Sequence, residues 1–297
     1  MYHDPVLLKE SIAGLNIKGE GIYIDATYGG GGHSREILKN IDKGSLIAFD
    51  QDQDALVNEA DDERLILINQ NFRYMKNFLK LYKAVPVDGI LADLGISSYQ
   101  IDKPERGFSL RFEGALDLRM NQNKGLSAKQ VVNEYPVGKL KEIFWNYGDL
   151  KNGSKVAHEI EKARSETEIS TTKQLQEATS KCAPRGLENK FYAKLFQALR
   201  IEVNDELGSL KDLLSQSVEL LDKGGRLVVI SYHSLEDRLV KNFLKSGNFE
   251  GEIEKDFYGN PLVQFKLITK KPIVPTEEEI KRNSRARSAK LRIAEKI

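Results

Sequence analysis

Cysteine is almost missing from this chain. Its 297 residues include one, Cys182, so no intrachain disulfide and no all-cysteine metal site can form. A buried, inert thiol is the expectation for it. Histidine is scarce as well: His3, His33, His158 and His233 are far apart, with no HxxxH spacing, and no metal site is expected. A charge excess of one sign is lacking too. Forty-five basic and 44 acidic residues leave a formal charge of +1, so bulk charge does not announce a polyanionic partner and any basic surface must be local. No apolar run approaches the roughly 20 residues that span a bilayer. The stretch "MYHDPVLLKES" carries acids and no long apolar segment, unlike a secretory signal. A cytoplasmic protein without membrane contact is expected. At 40% hydrophobic residues, the chain can bury one large core or two smaller ones. It shows no internal repeat.

What is present has a clear rhythm. "GIYIDAT", "GSLIAFD", "RLILINQ" and "VDGILADLG" read as strands, with "HSREILKNI", "DQDALVNEA" and "YMKNFLKLYK" as the helices between them. Near-continuous apolar strands alternating with helices predict a parallel sheet covered on both faces. From about Ile101 to Arg200 the strand pattern stops and helical periodicity takes over, in "SAKQVVNEY", "VGKLKEIFWNYG", "KVAHEIEKARSE" and "TKQLQEATSKC". Then a long helix, a Gly-Gly turn and the strand "RLVVIS" restore the first rhythm. "FEGEIEKDF" and "VQFKLITKK" are expected to pair as a final antiparallel unit. The expected organisation is an α/β doubly wound sheet over residues 1–103 and 208–297, interrupted by a helical insertion at 104–207.

"IDATYGGGGHS" ends the first strand with four consecutive glycines. In open parallel sheets, ligands lie beyond the carboxyl ends of the strands at the switch point. A dinucleotide fingerprint, GxGxxG, fits imperfectly here: from Gly29 the sixth position is Ser34. The pattern DxxxGxG, suited to S-adenosylmethionine, matches at Asp25, Gly29 and Gly31. Asp25 suits a cationic amino-acid moiety, and the glycines let a ligand lie against the main chain. Asp50 ends the second strand, where a carboxylate can bond two ribose hydroxyls; that feature serves either cofactor. Asp93 ends the fourth strand at the same edge, as a ligand group or as an ordinary strand-end cap.

Seven blocks in order, "HDPVLLKE", "DATYGGGGHS", "DLGISSYQ", "RGFSLR" with "LDLRM", "FQALRIEVNDEL", "GGRLVVISYHSLEDRLVK" and "NSRARSAKLR", resemble the MraW (RsmH) family, bacterial 16S rRNA cytosine-N4 methyltransferases. The resemblance implies a class I S-adenosylmethionine-dependent methyltransferase fold with an inserted helical substrate domain. It places cofactor contacts on Gly31, Gly32, His33, Asp50, Phe72, Asp93 and Gln100. It implies 16S rRNA in the small ribosomal subunit as partner, with the decoding-centre cytosine numbered 1402 as target, and it is compatible with a homodimer. "NKFYAK", "YGDLKNGSK" and "GALDLRM" depart from the family pattern, all within the insertion.

An amine conjugated into a cytosine ring is a poor nucleophile. Aligning it with the methyl and sulfur can supply roughly 7–11 kcal/mol, and an acceptor for its proton stabilises the developing positive charge. Asp93 is the candidate acceptor. His233 either orients the base and moves a proton, or makes a structural hydrogen bond at a strand–helix junction. Ser234, Glu236 and Asp237 read as a helix N-terminus. Ser97 and Ser98 lack a GxSxG context and are not expected to be nucleophiles. Tyr99, Phe108 and Phe112 either stack on an unstacked base or pack in the core. Residues 281–297 carry seven basic side chains against Glu295, a local charge of 7 − 1 = +6. They read as a basic tail for phosphate contacts.

Overall fold

The computed structural model describes residues 5–297; His3 lies outside the described residues. The chain folds as two compact units. One runs up to Gly95 and resumes over Leu207–Ile297; the other is Ile96–Glu206. In chain order the first unit begins with α1 (Leu8–Leu15), β1 (Ile22–Asp25), α2 (Gly32–Asn40), β2 (Ser45–Phe49), β3 (Leu65–Ile68), α3 (Met75–Leu81) and β4 (Val87–Asp93). The helical unit supplies α4 (Ser98–Asp102), α5 (Ala128–Glu134), α6 (Val137–Asn146), α7 (Gly153–Glu166), α8 (Thr172–Ala178) and α9 (Glu188–Asn204). Then follow α10 (Glu206–Leu220), β5 (Leu221–Ser231), α11 (Ser234–Ser246), β6 (Phe265–Leu267), α12 (Glu277–Arg282) and β7 (Lys290–Lys296).

The sheet order is β3-β2-β1-β4-β5-β7-β6. β1 to β5 run parallel, and β7 is antiparallel to both its neighbours. This is the class I methyltransferase arrangement that the resemblance implies. Successive strand residues serve two different cores, because side chains alternate across a sheet. Ile24, Ile47, Ile90 and Val229 enter one apolar cluster; Tyr23, Leu46, Leu91 and Val228 enter the other. Burial on both faces is why these strands are uninterrupted apolar runs. Each such side chain contributes about 1.5–3 kcal/mol. The order reverses between β1 and β4, so the carboxyl ends of those two strands form the switch point.

Three expectations need correction. "DQDALVNEA" forms a 3-10 turn over Gln53–Asn58, not an α-helix. "FEGEIEKDF" does not pair with "VQFKLITKK" as a sheet: Phe265–Leu267 pairs with β7, while Lys255 of the first segment forms an isolated bridge to Pro261, ahead of the second. The basic tail is not a free arm either. Lys290–Lys296 is an interior strand whose Leu291, Ile293 and Ala294 are buried. The apolar alternation in "KLRIAEK" was hidden by its flanking charges. Arg292 Nε donates to Asp237 Oδ1 at 2.7 Å, and Lys290 Nζ to Oδ2 at 3.1 Å. Arg226 pairs with Glu295 across the β5–β7 ladder at 2.9 Å. Two of the seven cations, Lys290 and Arg292, are thus engaged inside the fold by Asp237.

The helical unit has its own core, including Leu140, Phe144, Val156, Leu195 and Leu199. It begins at Ile96, eight residues before the expected boundary, because Ile96 packs on that core and Ser97 caps α4. The "RGFSLR" and "LDLRM" blocks form one folded loop here. The buried Arg106 guanidinium donates to the Arg119 and Met120 carbonyls. Asn204 accepts from Met120 N and donates to Leu118 O, both at 2.7 Å. Gly107 has φ +76° and a Cβ there would sit 2.3 Å from Ala115 O.

Burial pushes the Asp237 carboxyl up, but its bonds to Arg292 and Lys290 outweigh this and hold it below the ordinary carboxylate value. Its stabilising contribution is therefore complete above about pH 4 and is lost as pH falls through the depressed value. Arg292→Ala is expected to lower stability by about 3 kcal/mol and to reduce the loss on acidification. Urea titrations of both proteins at pH 7 and pH 3.5 check this; matching midpoints would count against it.

Candidate active site at the switch point of the sheet

The glycine loop leaves β1 tied to both neighbouring strands: Ala26 N donates to Leu91 O at 2.8 Å and Tyr28 N to Phe49 O at 2.9 Å. Asp25 is 1% exposed. Its Oδ1 accepts from Thr27 N at 3.0 Å and its Oδ2 from the Ser34 hydroxyl at 2.6 Å. Burial pushes its carboxyl up, with the Ser34 bond opposing. Through these bonds Asp25 ties the glycine loop to the first turn of α2.

The glycines are required mainly by the protein itself. A Cβ on Gly31 would meet the Tyr28 hydroxyl at 2.7 Å, and one on Gly32 would meet the Pro5 ring at 2.3 Å. Gly29 and Gly31 also have positive φ, +52° and +71°, which non-glycine residues adopt at a cost. Gly29 alone of these three faces open space, with nothing closer than 4.0 Å. Tyr28 is locked by donating to Asn58 O at 2.7 Å.

At the end of β2, Asp50 Oδ2 accepts from Gly29 N at 2.7 Å and Oδ1 from Asp52 N at 2.8 Å. Each oxygen keeps a second lone pair, so the carboxylate can still accept from two hydroxyls. Surrounding protein pushes this carboxyl up to about 7; the two N–H bonds oppose that, and the Asp52 and Asp25 charges add to it. Phe72 starts the turn after β3, whose preceding Asn71 caps it, and packs against the core.

Asp93 ends β4. Its backbone N–H donates to Thr27 Oγ1 at 2.6 Å, which fixes it beside the glycine loop. Its Oδ1 accepts from the Tyr232 hydroxyl at 2.8 Å. Its Oδ2 lies 3.9 Å from His33 Nδ1, and the side chain keeps 23% of its surface exposed. Burial pushes Asp93 up to about 6, with His33 and Tyr232 opposing and Asp25 and Glu236 adding. Buried against that acid, the Tyr232 phenol is held well above its usual range and stays a donor. His33 Nε2 is 3.1 Å from Val6 O. A carbonyl only accepts, so Nε2 carries a proton, and Nδ1 carries one only in the imidazolium.

His233 is the N-cap of α11. Its Nδ1 accepts from Glu236 N at 3.4 Å, and its Nε2 lies 3.2 Å from Glu236 Oε1 without an aligned hydrogen bond. Glu236 Oε2 in turn accepts from Tyr232 N at 2.9 Å. His233 thus makes the strand–helix junction hydrogen bond that is one of its two expected roles. Gln100 belongs to the helical unit, where its Oε1 accepts from Ser97 N at 3.0 Å in a capping box. His158 lies on α7, bonded to Ser154 O at 2.7 Å. Tyr232 escaped the sequence reading; the signal was its place between a strand end and a capping sequence, next to a switch-point acid.

A sequence model of the MraW methylase family matches residues 1–297. The chain belongs to this family. Its relatives include proteins named ribosomal RNA small subunit methyltransferase H. That of Flavobacterium johnsoniae is 57% identical over 297 residues, spanning 100% of this chain and 98% of the relative. That of Christiangramia forsetii is 55% identical over 297 residues, spanning 100% and 98%. That of Cytophaga hutchinsonii is 55% identical over 298 residues, spanning all of both chains. As an MraW methylase the chain is an enzyme whose methyl donor is S-adenosylmethionine. The switch-point residues fit that donor. Acids on three neighbouring strand ends favour a sulfonium cation, Asp50 retains lone pairs for a ribose, and the Gly29 side is open.

Asp50 must ionise to accept from both ribose hydroxyls, and Asp93 to face the sulfonium cation. Both are raised, so each takes up a proton at a higher pH than an ordinary carboxyl, and affinity is present above about 7 and lost as pH falls through 7 and 6. S-adenosylmethionine is expected to bind about 60-fold more weakly at pH 5.5 than at pH 7 if both carboxyls must be ionised. Calorimetry in buffers of different ionisation enthalpy should show proton release below pH 7. Affinity that is flat with pH would contradict the ionisation requirement.

Proposed function

We propose that this chain transfers the methyl group of S-adenosylmethionine to the exocyclic N4 amine of a cytosine in 16S rRNA, position 1402 in the usual numbering, on the small ribosomal subunit. The name borne by its full-length relatives supports the substrate class. The observation that carries the chemistry is the Asp93 carboxyl, at the switch point and clamped on one oxygen by Tyr232.

When bound, S-adenosylmethionine supplies an electrophilic methyl on a sulfonium. The protein's own residues do the rest. In this reading Gly29, Gly31, Gly32, His33 and Phe72 line the donor's place. Asp50 accepts from the ribose hydroxyls, and Asp25 keeps the loop in shape. Asp93 accepts a hydrogen bond from the cytosine amine, which draws the nitrogen lone pair out of conjugation, and then takes its proton. A carboxyl near 6 suits this task, since it is ionised at neutral pH yet basic enough to hold a proton briefly. Tyr232 fixes the acceptor's orientation and lowers its basicity. His233 acts through Glu236, holding the corner that carries Tyr232.

In the helical unit, Tyr99 and Phe112 are exposed and available to stack on an extruded base. Phe108 is buried in the helical core and is not available. Basic side chains at Lys281, Arg282 and Arg287 are exposed and suit phosphate contact more than those of β7.

The decisive experiment incubates the protein with labelled S-adenosylmethionine and small subunits from a strain lacking the activity, and locates the label by mass spectrometry. A label on the cytosine amine is expected. Asp93→Ala should abolish transfer, and near-normal turnover in that variant removes Asp93 from the mechanism. Tyr232→Phe removes a bond that lowers the Asp93 value. The acid limb of its kcat/KM profile is expected to move to higher pH, with donor affinity at pH 8 little changed. An unmoved limb would show that the phenol does not tune the acceptor.

A further inference from the structure

Between α11 and β6 the chain makes a short hairpin that the chemistry above leaves unexplained. Asp256 N donates to Asn260 O at 2.9 Å, Leu262 N to Glu254 O at 2.8 Å, and Lys255 bridges Pro261. The tip is set by Asp256: its Oδ1 accepts from Tyr258 N and Asn260 N, and its Oδ2 from Asn260 Nδ2. Gly259, at φ +85°, completes the turn. The base is held as well, by Asn248 Oδ1 accepting from Gly251 N at 2.8 Å and its amide donating to Glu252 O at 2.7 Å. This rigid tip presents Phe257 at 95% and Tyr258 at 86% exposure, rings edge to face with centroids 5.5 Å apart. Ile253 and Leu262 on its stem are also exposed. Four large apolar side chains exposed within ten residues form an interaction patch, not scatter.

The charge says what it meets. Over residues 250–260, Glu250, Glu252, Glu254 and Asp256 stand against Lys255, giving 1 − 4 = −3. The chain totals +1, so the remainder is +4. Phosphate backbone repels such a hairpin, whereas a basic protein surface attracts it. Pre-ordered aromatics at a tip are the anchors that fill apolar recesses in protein partners at low entropy cost.

We propose that the 250–260 hairpin is a docking finger that seats Phe257 and Tyr258 in an apolar recess of a basic protein on the small ribosomal subunit. This rests on the proposed substrate. The finger would let the enzyme read assembled protein, not bare RNA, on its substrate particle.

The test compares the wild-type protein with Phe257→Ser/Tyr258→Ser and with Glu252→Lys/Glu254→Lys. Binding is measured to small subunits and to protein-free 16S rRNA at matched salt, alongside thermal melting and S-adenosylmethionine affinity. The aromatic variant is expected to bind subunits at least fivefold more weakly, with rRNA binding, melting and donor affinity unchanged. The lysine variant should also lose subunit affinity while gaining affinity for bare rRNA. Wild-type subunit affinity in the aromatic variant overturns the proposal. So does an equal loss on protein-free rRNA, which would make the tip an RNA contact. The binding arms do not depend on turnover, so failure of the wild-type protein to methylate subunits would count against the proposed reaction alone.

Discussion

Like charge gathered at the end of a buried sheet is the constraint on which this molecule turns. Asp25, Asp50 and Asp93 end strands that stand side by side, and each feels the field of another. Such a cluster persists only where hydrogen bonds share the burden. Ser34 and Thr27 serve Asp25, the Gly29 and Asp52 amides serve Asp50, and Tyr232 serves Asp93. The loop geometry, the glycines that permit it and the corner at His233 all follow from supplying those donors. What remains unneutralised is a field suited to a cation.

Much of this could be read from the residues alone, and the reason differs by element. The parallel strands announce themselves because burial on both faces forces an apolar run, and the three acids stand out because each ends one. The roles inside the loop were less legible. Asp25 fits a ligand pattern, yet Ser34, nine residues on, claims one of its oxygens, and no spacing rule reveals that. Tyr232 acts through a contact 139 positions away in sequence, which no local pattern encodes. His233 looks catalytic by residue type and is a helix cap by geometry.

The C-terminal segment misleads for a related reason. "KLRIAEK" carries lysine, arginine and glutamate at the positions a tail would have, and composition outweighs its short alternation. Partners make the difference: Asp237 pairs with both Arg292 and Lys290, and Glu295 pairs with Arg226. In the helical unit, by contrast, the periodic helices are plain in the sequence, while the loop organised by Arg106 and Asn204 is invisible until its carbonyl acceptors are known.

The place of β7 carries a consequence for biosynthesis. It lies between β5 and β6, yet it is the last of the seven strands to emerge during translation. Until then the β5 edge has no neighbour on that side, and an open edge invites wrong pairing. The helical unit, contiguous in the chain, has no such dependence and can condense while synthesis continues. The donor-binding half of the enzyme therefore matures last, which delays its chemistry until Lys290–Lys296 has emerged.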